Sequence, residues 1–259
     1  MSTGRAGAAV AVLLVAVLVG ACSSGSTSSS SSSGSASSFT ASLGQTGPPA
    51  SIAAGDAAKV IAAADGVTVT EASFNAELNA IGSVPSYLDA TDLQLAPSSV
   101  ATRLPGGAFD PGYVRLLLRR RILLALVEHE LATRGITVSD VCRQVASAHL
   151  AEALSGDATE GAAFLAAFPL AYRDDLVTWN AEVKQLQSEL SGLPCDTTDP
   201  GAQDKVGTAY ATWLDATLGA AAIAVDPSYG TWDVASGTIL PPGGIAATTV
   251  PATSSSSGG

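Results

Sequence analysis

The chain has 259 residues, a formal net charge of −11, and only 14% charged residues. A surface that acidic makes nucleic acid and anionic lipid head groups poor partners. No basic patch compensates, because the one basic cluster, Arg119-Arg120-Arg121, lies inside an apolar helical run.

Residues 1–21 read as an export signal. Arg5 precedes an uncharged stretch from Ala6 to Ala21, with its most apolar part at Val10 to Val19. That core is shorter than the roughly 20 residues a spanning helix needs. Val19-Gly20-Ala21-Cys22 closes it in the pattern of a bacterial lipobox. Cys22 is therefore the predicted lipidation site, with its thiol as the nucleophile that takes the diacylglycerol. The competing reading is an uncleaved anchor with an incidental cysteine. Lipoprotein maturation supplies at least two acyl chains, enough for stable attachment. The expected location is the extracytoplasmic face of a cell membrane.

Residues 22–55 are expected to form a tether. Twelve of the sixteen residues from Ser23 to Ser38 are serine, so the segment cannot bury enough apolar surface to offset its ordering entropy. The folded part is expected over 56–244, followed by a disordered tail over 245–259.

Within the folded part, Val60-Ile61 and Val67-x-Val69 flank Asp65-Gly66, a hairpin signature. Thr70 offers an N-cap to a helix over 71–82, whose Phe74, Leu78 and Ile81 recur at helical spacing. Residues 83–111 carry four prolines that forbid a long helix, although 87–95 leaves room for a short helical piece. From Gly112 to Thr133 the chain is helical and apolar on several sides, which places that helix at the centre of the domain. Gly135 ends it, and Ser139 or Asp140 opens a helix over 140–154. Further helices are predicted over 162–168, 172–190 and 206–218, with a loop around Asp199-Pro200-Gly201. Ile223 to Val225 and Ile239-Leu240 read as strand pieces. The Val60 and Val225 strands are expected to pair, because an isolated hairpin is marginal. The fold class is mainly α with a small β element made by the two ends.

With Cys22 lipidated, Cys142 and Cys195 remain, and an even pair in an exported protein predicts a disulfide, with two free thiols as the alternative. Catalytic constellations are missing. Cys142 and His149 share a helix face but lie about 10 Å apart along the axis, too far for a direct hydrogen bond. Asp174-Asp175 has no partner motif, and no metal-binding or phosphate-binding motif occurs, so no metal or cofactor is expected.

Residues 64–78, ADGVTVTEASFNAEL, and the step Glu130-x-x-x-x-Gly135-Ile136-x-Val138-Ser139-Asp140 resemble the SurA N-terminal-like family. Val225, Asp226, Pro227, Tyr229, Gly230 and Trp232 resemble the closing segment of SurA and PrsA relatives. Those relatives carry a parvulin-type prolyl isomerase domain before that segment. Here only about sixty residues separate Cys142 from Val206, and no histidine follows His149. The resemblance implies a chaperone lobe without the isomerase: a membrane-anchored, non-enzymatic protein that binds unfolded or extended polypeptides. A structural or adaptor lipoprotein and a vestigial isomerase are the alternatives. The expected client groove lies between the Val114–Leu131 and Leu176–Leu190 helices, lined by Leu117, Leu124, Leu176, Trp179 and Val183.

Overall fold

The structure, a computed structural model, describes residues 52–98 and 100–243. The signal peptide, Cys22, nearly all of the tether and the 245–259 tail lie outside the described residues.

Two short strands open the fold, β1 (Val60–Ala64) and β2 (Val67–Thr70). Asp65 and Gly66 connect them at φ +46° and +88°, the paired positive angles of a tight hairpin turn. Strand β3 (Ile223–Val225) lies antiparallel on the other side of β1, in register Ala62 to Val225 and Ala64 to Ile223. The Asp65 amide donates to the Ala222 carbonyl at 3.2 Å, and the Asp226 amide to the Ile61 carbonyl at 2.8 Å. The two ends of the folded part therefore meet in one three-stranded sheet, ordered β2-β1-β3. A second hairpin follows, β4 (Thr231–Asp233) with β5 (Thr238–Leu240). The sequence reading saw only its Ile239-Leu240 end, because three-residue strands carry almost no alternation to detect.

Helix α1 (Glu71–Gly82) is capped as expected, with Thr70 Oγ1 accepting the Ser73 amide at 3.2 Å. Helix α2 (Pro85–Leu95) is longer than the predicted helical piece. Pro85 occupies its first turn, where no helical amide is lost. The loop that follows is held to α2 by Asp92, which accepts from the Thr102 amide at 2.5 Å and its hydroxyl at 3.0 Å. Helix α3 (Pro111–Thr133) is capped by Asp110. Ser139 caps α4 (Asp140–Ser155) and Asp157 caps α5 (Ala158–Ala167). Helices α6 (Leu170–Ser191) and α7 (Pro200–Ala220) complete the set. Helix α7 starts six residues earlier than predicted. Asp199 accepts the Ala202 amide at 2.9 Å and Pro200 fills the first helical position, so the presumed loop is a helix entry.

Helix α3 runs through the centre. It packs on the sheet, on β5 and on α6, and Leu118, Ile122, Leu126 and Val127 are fully enclosed. Helices α4, α5, α6 and α7 pack beside it as a second layer. Cys142 and Cys195 form a disulfide, with Cα atoms 5.2 Å apart, that joins the start of α4 to the chain between α6 and α7. Ordered contacts begin before Asp56. Asn79 clasps Ile52 through both its amide and its carbonyl, at 2.8 and 2.9 Å, and Asn75 donates to the Ala53 carbonyl. No helix among the described residues is long and apolar enough to cross a membrane.

Candidate functional site

The expected groove between α3 and α6 is closed. Leu117, Leu124, Leu176 and Val183 are all buried in the shared core. They hold the helices together, because two apolar stripes at helical spacing bury most area by packing on each other. Only Trp179 among the five predicted groove residues is half-buried, and it faces a different opening.

That opening is a cleft of about 580 Å3 between α1 and the first half of α6. Helix α1 contributes Ser73, Ala76, Glu77 and Ala80, and α6 contributes Tyr172, Asp175 and Trp179. Pro169 stands at one edge and Arg121 of α3 forms the back. The walls are mainly apolar, and the volume falls in the range of small-ligand sites.

A buried ion cluster supports this cleft. Consecutive helical residues point about 100° apart, so the three arginines of α3 diverge. Arg119 donates through Nε to the Gly237 carbonyl at 2.5 Å and anchors the second hairpin. Arg120 pairs with Glu77 and donates to the Tyr172 hydroxyl at 3.3 Å. Arg121 lies with Nε 3.6 Å from Glu77 Oε2, an ion-pair distance without a hydrogen bond. Its guanidinium stacks over Trp179, 4.3 Å from the ring centroid, a geometry that favours the cation electrostatically. Glu77 is only 4% exposed and Arg120 6% exposed. One buried carboxylate thus serves two guanidinium groups.

Aromatic rings extend the wall inward. Phe168 meets Tyr87 and Tyr172, each at 5.1 Å between centroids, and Tyr172 meets Trp179 at 6.1 Å, all edge to face. Burial pushes the Tyr172 hydroxyl well above its ordinary pKa, against the pull of Arg120, so it stays a neutral hydrogen-bonding group. Burial works against the Arg120 charge, but Tyr172 and Glu77 outweigh it and keep the guanidinium charged. At the rim, partial burial raises the Asp175 pKa, opposed by Arg121. One turn beyond Trp179, burial and the neighbouring Glu128 raise Glu182 to about 7, with Arg121 and Arg143 opposing.

Comparison with models of known protein families, with curated proteins and with solved structures finds no match to this chain. The site must therefore be read from its own chemistry. The Cys142 sulfur is bonded to Cys195 and is no nucleophile, while His149 lies on the surface 3.8 Å from Glu152. Among the described residues no group of three or more His, Cys, Asp or Glu side chains is placed to hold a metal ion. Of Asp174-Asp175, only Asp175 lines the cleft.

The Glu77–Arg120–Arg121 cluster went unread in the sequence. One signal was available: Glu77 lies on the same helical face as Phe74 and Ile81, three and four residues away, and next to Leu78. A carboxylate inside an apolar stripe needs a buried cation, and the three consecutive arginines supplied it.

Proposed function

We propose that this protein is an exported, lipid-anchored, non-catalytic holding protein that binds extended segments of other exported polypeptides in the α1–α6 cleft. The observation that carries this reading is the cleft itself: an open, mainly apolar space walled by Trp179, Tyr172 and Pro169, with the Glu77–Arg120–Arg121 ion cluster behind it. Aromatic and proline faces accept varied side chains without demanding one sequence. A cleft of about 580 Å3 meets only a short segment, so affinity per segment is modest after ordering costs are subtracted. That suits a client which must be released.

The lobe's resemblance to SurA-type chaperones, the lipobox at Cys22 and the serine-rich tether support the same reading. Anchorage at Cys22 would keep the cleft near the membrane, where exported chains emerge. The acidic surface keeps a loaded complex soluble.

The test is suppression of aggregation of a thermally unfolded reference enzyme at near-stoichiometric ratios. Protection is expected, and Trp179→Ala should weaken it. No protection would refute the holding role and favour an adaptor of the cell envelope. Acceleration of a proline-limited refolding reaction would refute the non-catalytic half.

A further inference from the structure

The chain enters the folded body along α1, the helix that forms one wall of the cleft. From Asp56 back to Ile52 it runs antiparallel to α1, with a contact at each turn. The Ala72 amide donates to the Asp56 carbonyl at 3.3 Å, and the Asp56 amide to Glu71 Oε2 at 3.0 Å. Gly55 lies flat on the helix, where a Cβ would stand 2.6 Å from the Glu71 carbonyl carbon. Asn75 donates to the Ala53 carbonyl at 3.0 Å. Asn79 then accepts the Ile52 amide at 2.8 Å and donates to its carbonyl at 2.9 Å. A side-chain amide offers a donor and an acceptor, the same pair a main-chain residue offers, so this clasp fixes the path of the chain without reading its sequence. Asn79 also lines the cleft. The chain therefore reaches the cleft's rim at Ile52, and the residues just before it are Gly47-Pro48-Pro49-Ala50-Ser51. Their chemistry suits the cleft. Proline has no amide hydrogen, so a Pro-Pro step brings no donor that mainly apolar walls would leave unpaired. It is also pre-set to the extended left-handed helix that aromatic-lined grooves bind at low entropic cost. No charged residue lies between Arg5 and Asp56, so the segment meets no repulsion from an acidic protein.

We propose that residues 47–51 of this same chain dock in the cleft, with Pro48-Pro49 against Trp179, so that any client competes with the tether. The inference shares with the holding role the premise that the cleft takes polypeptide. Five extended residues reach about 17 Å. Fixed at Asn79, so short a segment meets the cleft at an effective concentration in the millimolar range, and even a contact with a dissociation constant of about 1 mM is then half filled or more. Weak, short ligands are held out, and a client that makes further contacts displaces the segment.

The experiment reads acrylamide quenching of tryptophan emission in the full-length protein in detergent. Trp213 and Trp232 are buried while Trp179 is half-buried, and a Trp179→Phe blank isolates the Trp179 signal. Pro48→Ser with Pro49→Ser precedes Ile52 and leaves every contact described above in place. This double variant should raise the Trp179 quenching constant at least about twofold, because a site half filled or more shields the ring in half the molecules or more. An acetylated, amidated Gly-Pro-Pro-Ala-Ser peptide in millimolar amounts should restore the shielding. Asn79→Ala should release it with both prolines present. Equal quenching in the parent and the double variant overturns the inference. So does shielding that fades on dilution, which makes the occupant a second copy's tether. Aggregation suppression by the same two proteins judges the holding role separately. Stronger protection by the double variant is expected, and equal protection overturns the competition between tether and client. Protection by neither protein removes the holding role, while the quenching comparison still decides whether the segment docks.

Discussion

Replacing Glu77 tests whether the ion cluster is a structural keystone. Glu77→Leu removes the one carboxylate between Arg120 and Arg121. Arg120 is 6% exposed and retains the 3.3 Å bond to Tyr172 and a place over the Trp179 ring, 5.9 Å from its centroid, but no anionic partner from Glu77. A buried cation stripped of its partner costs about 3–5 kcal/mol. In a folded part of this size each kcal/mol moves the midpoint by about 2–4 °C, so a drop on the order of 10 °C is expected. Urea titration with a common m-value gives the free energy directly. Adding Arg120→Met should recover part of the loss, because an apolar pair in place of a buried ion pair is often close to neutral. The exposed Asp204 is the control, and its replacement by alanine should fall within about 0.5 kcal/mol of the parent. A Glu77→Leu effect no larger than the Asp204 control would refute the reasoning. So would a double variant whose loss is the sum of the two single losses.

The disulfide closes a loop with a sequence separation of 53 residues. Cys142→Ser with Cys195→Ser should therefore lower stability by about 4 kcal/mol on the chain-entropy account, and thiol titration of the unreduced parent should find neither cysteine free. Glu182, raised to about 7 in the folded state, binds its proton more readily there than in the unfolded chain, where an ordinary glutamate titrates near 4.3. Its contribution to stability is fully present below that lower value and is lost as pH rises through about 7. Glu182→Gln should flatten the pH dependence of the unfolding midpoint across that window, and an unchanged slope would rule out this assignment. At the N-terminus, Cys22→Ala should abolish lipid attachment, read by mass spectrometry of the mature end, and an unmodified Cys22 in the parent protein would defeat the anchoring proposal.

Much of the framework was legible in the residues themselves. Asp65-Gly66 specified a hairpin turn because both residues tolerate positive φ, and Thr70 and Ser139 announced helix starts through side chains that reach their own backbone. The β1–β3 pairing followed from two strands too short to persist alone. Each of these signals involves neighbours in sequence or a need that only one partner could meet. The entry to α7 was just as local and was misjudged, since Asp199-Pro200 serves turns and helix starts alike.

Only the tertiary structure decided where the open surface lies. Leu117, Leu124, Leu176 and Val183 have the apolar spacing of a groove and of a core, and periodicity does not distinguish the two. The choice is made by which helices close on one another. Here α6 packs against α3 and α4 and leaves its Tyr172–Trp179 face toward α1. The same closure brought Glu77 to Arg120 across 43 residues of chain. The local pattern marks a carboxylate within an apolar stripe but not its partner, because the energy of the pair depends on the low dielectric that exists only once the helices have enclosed it.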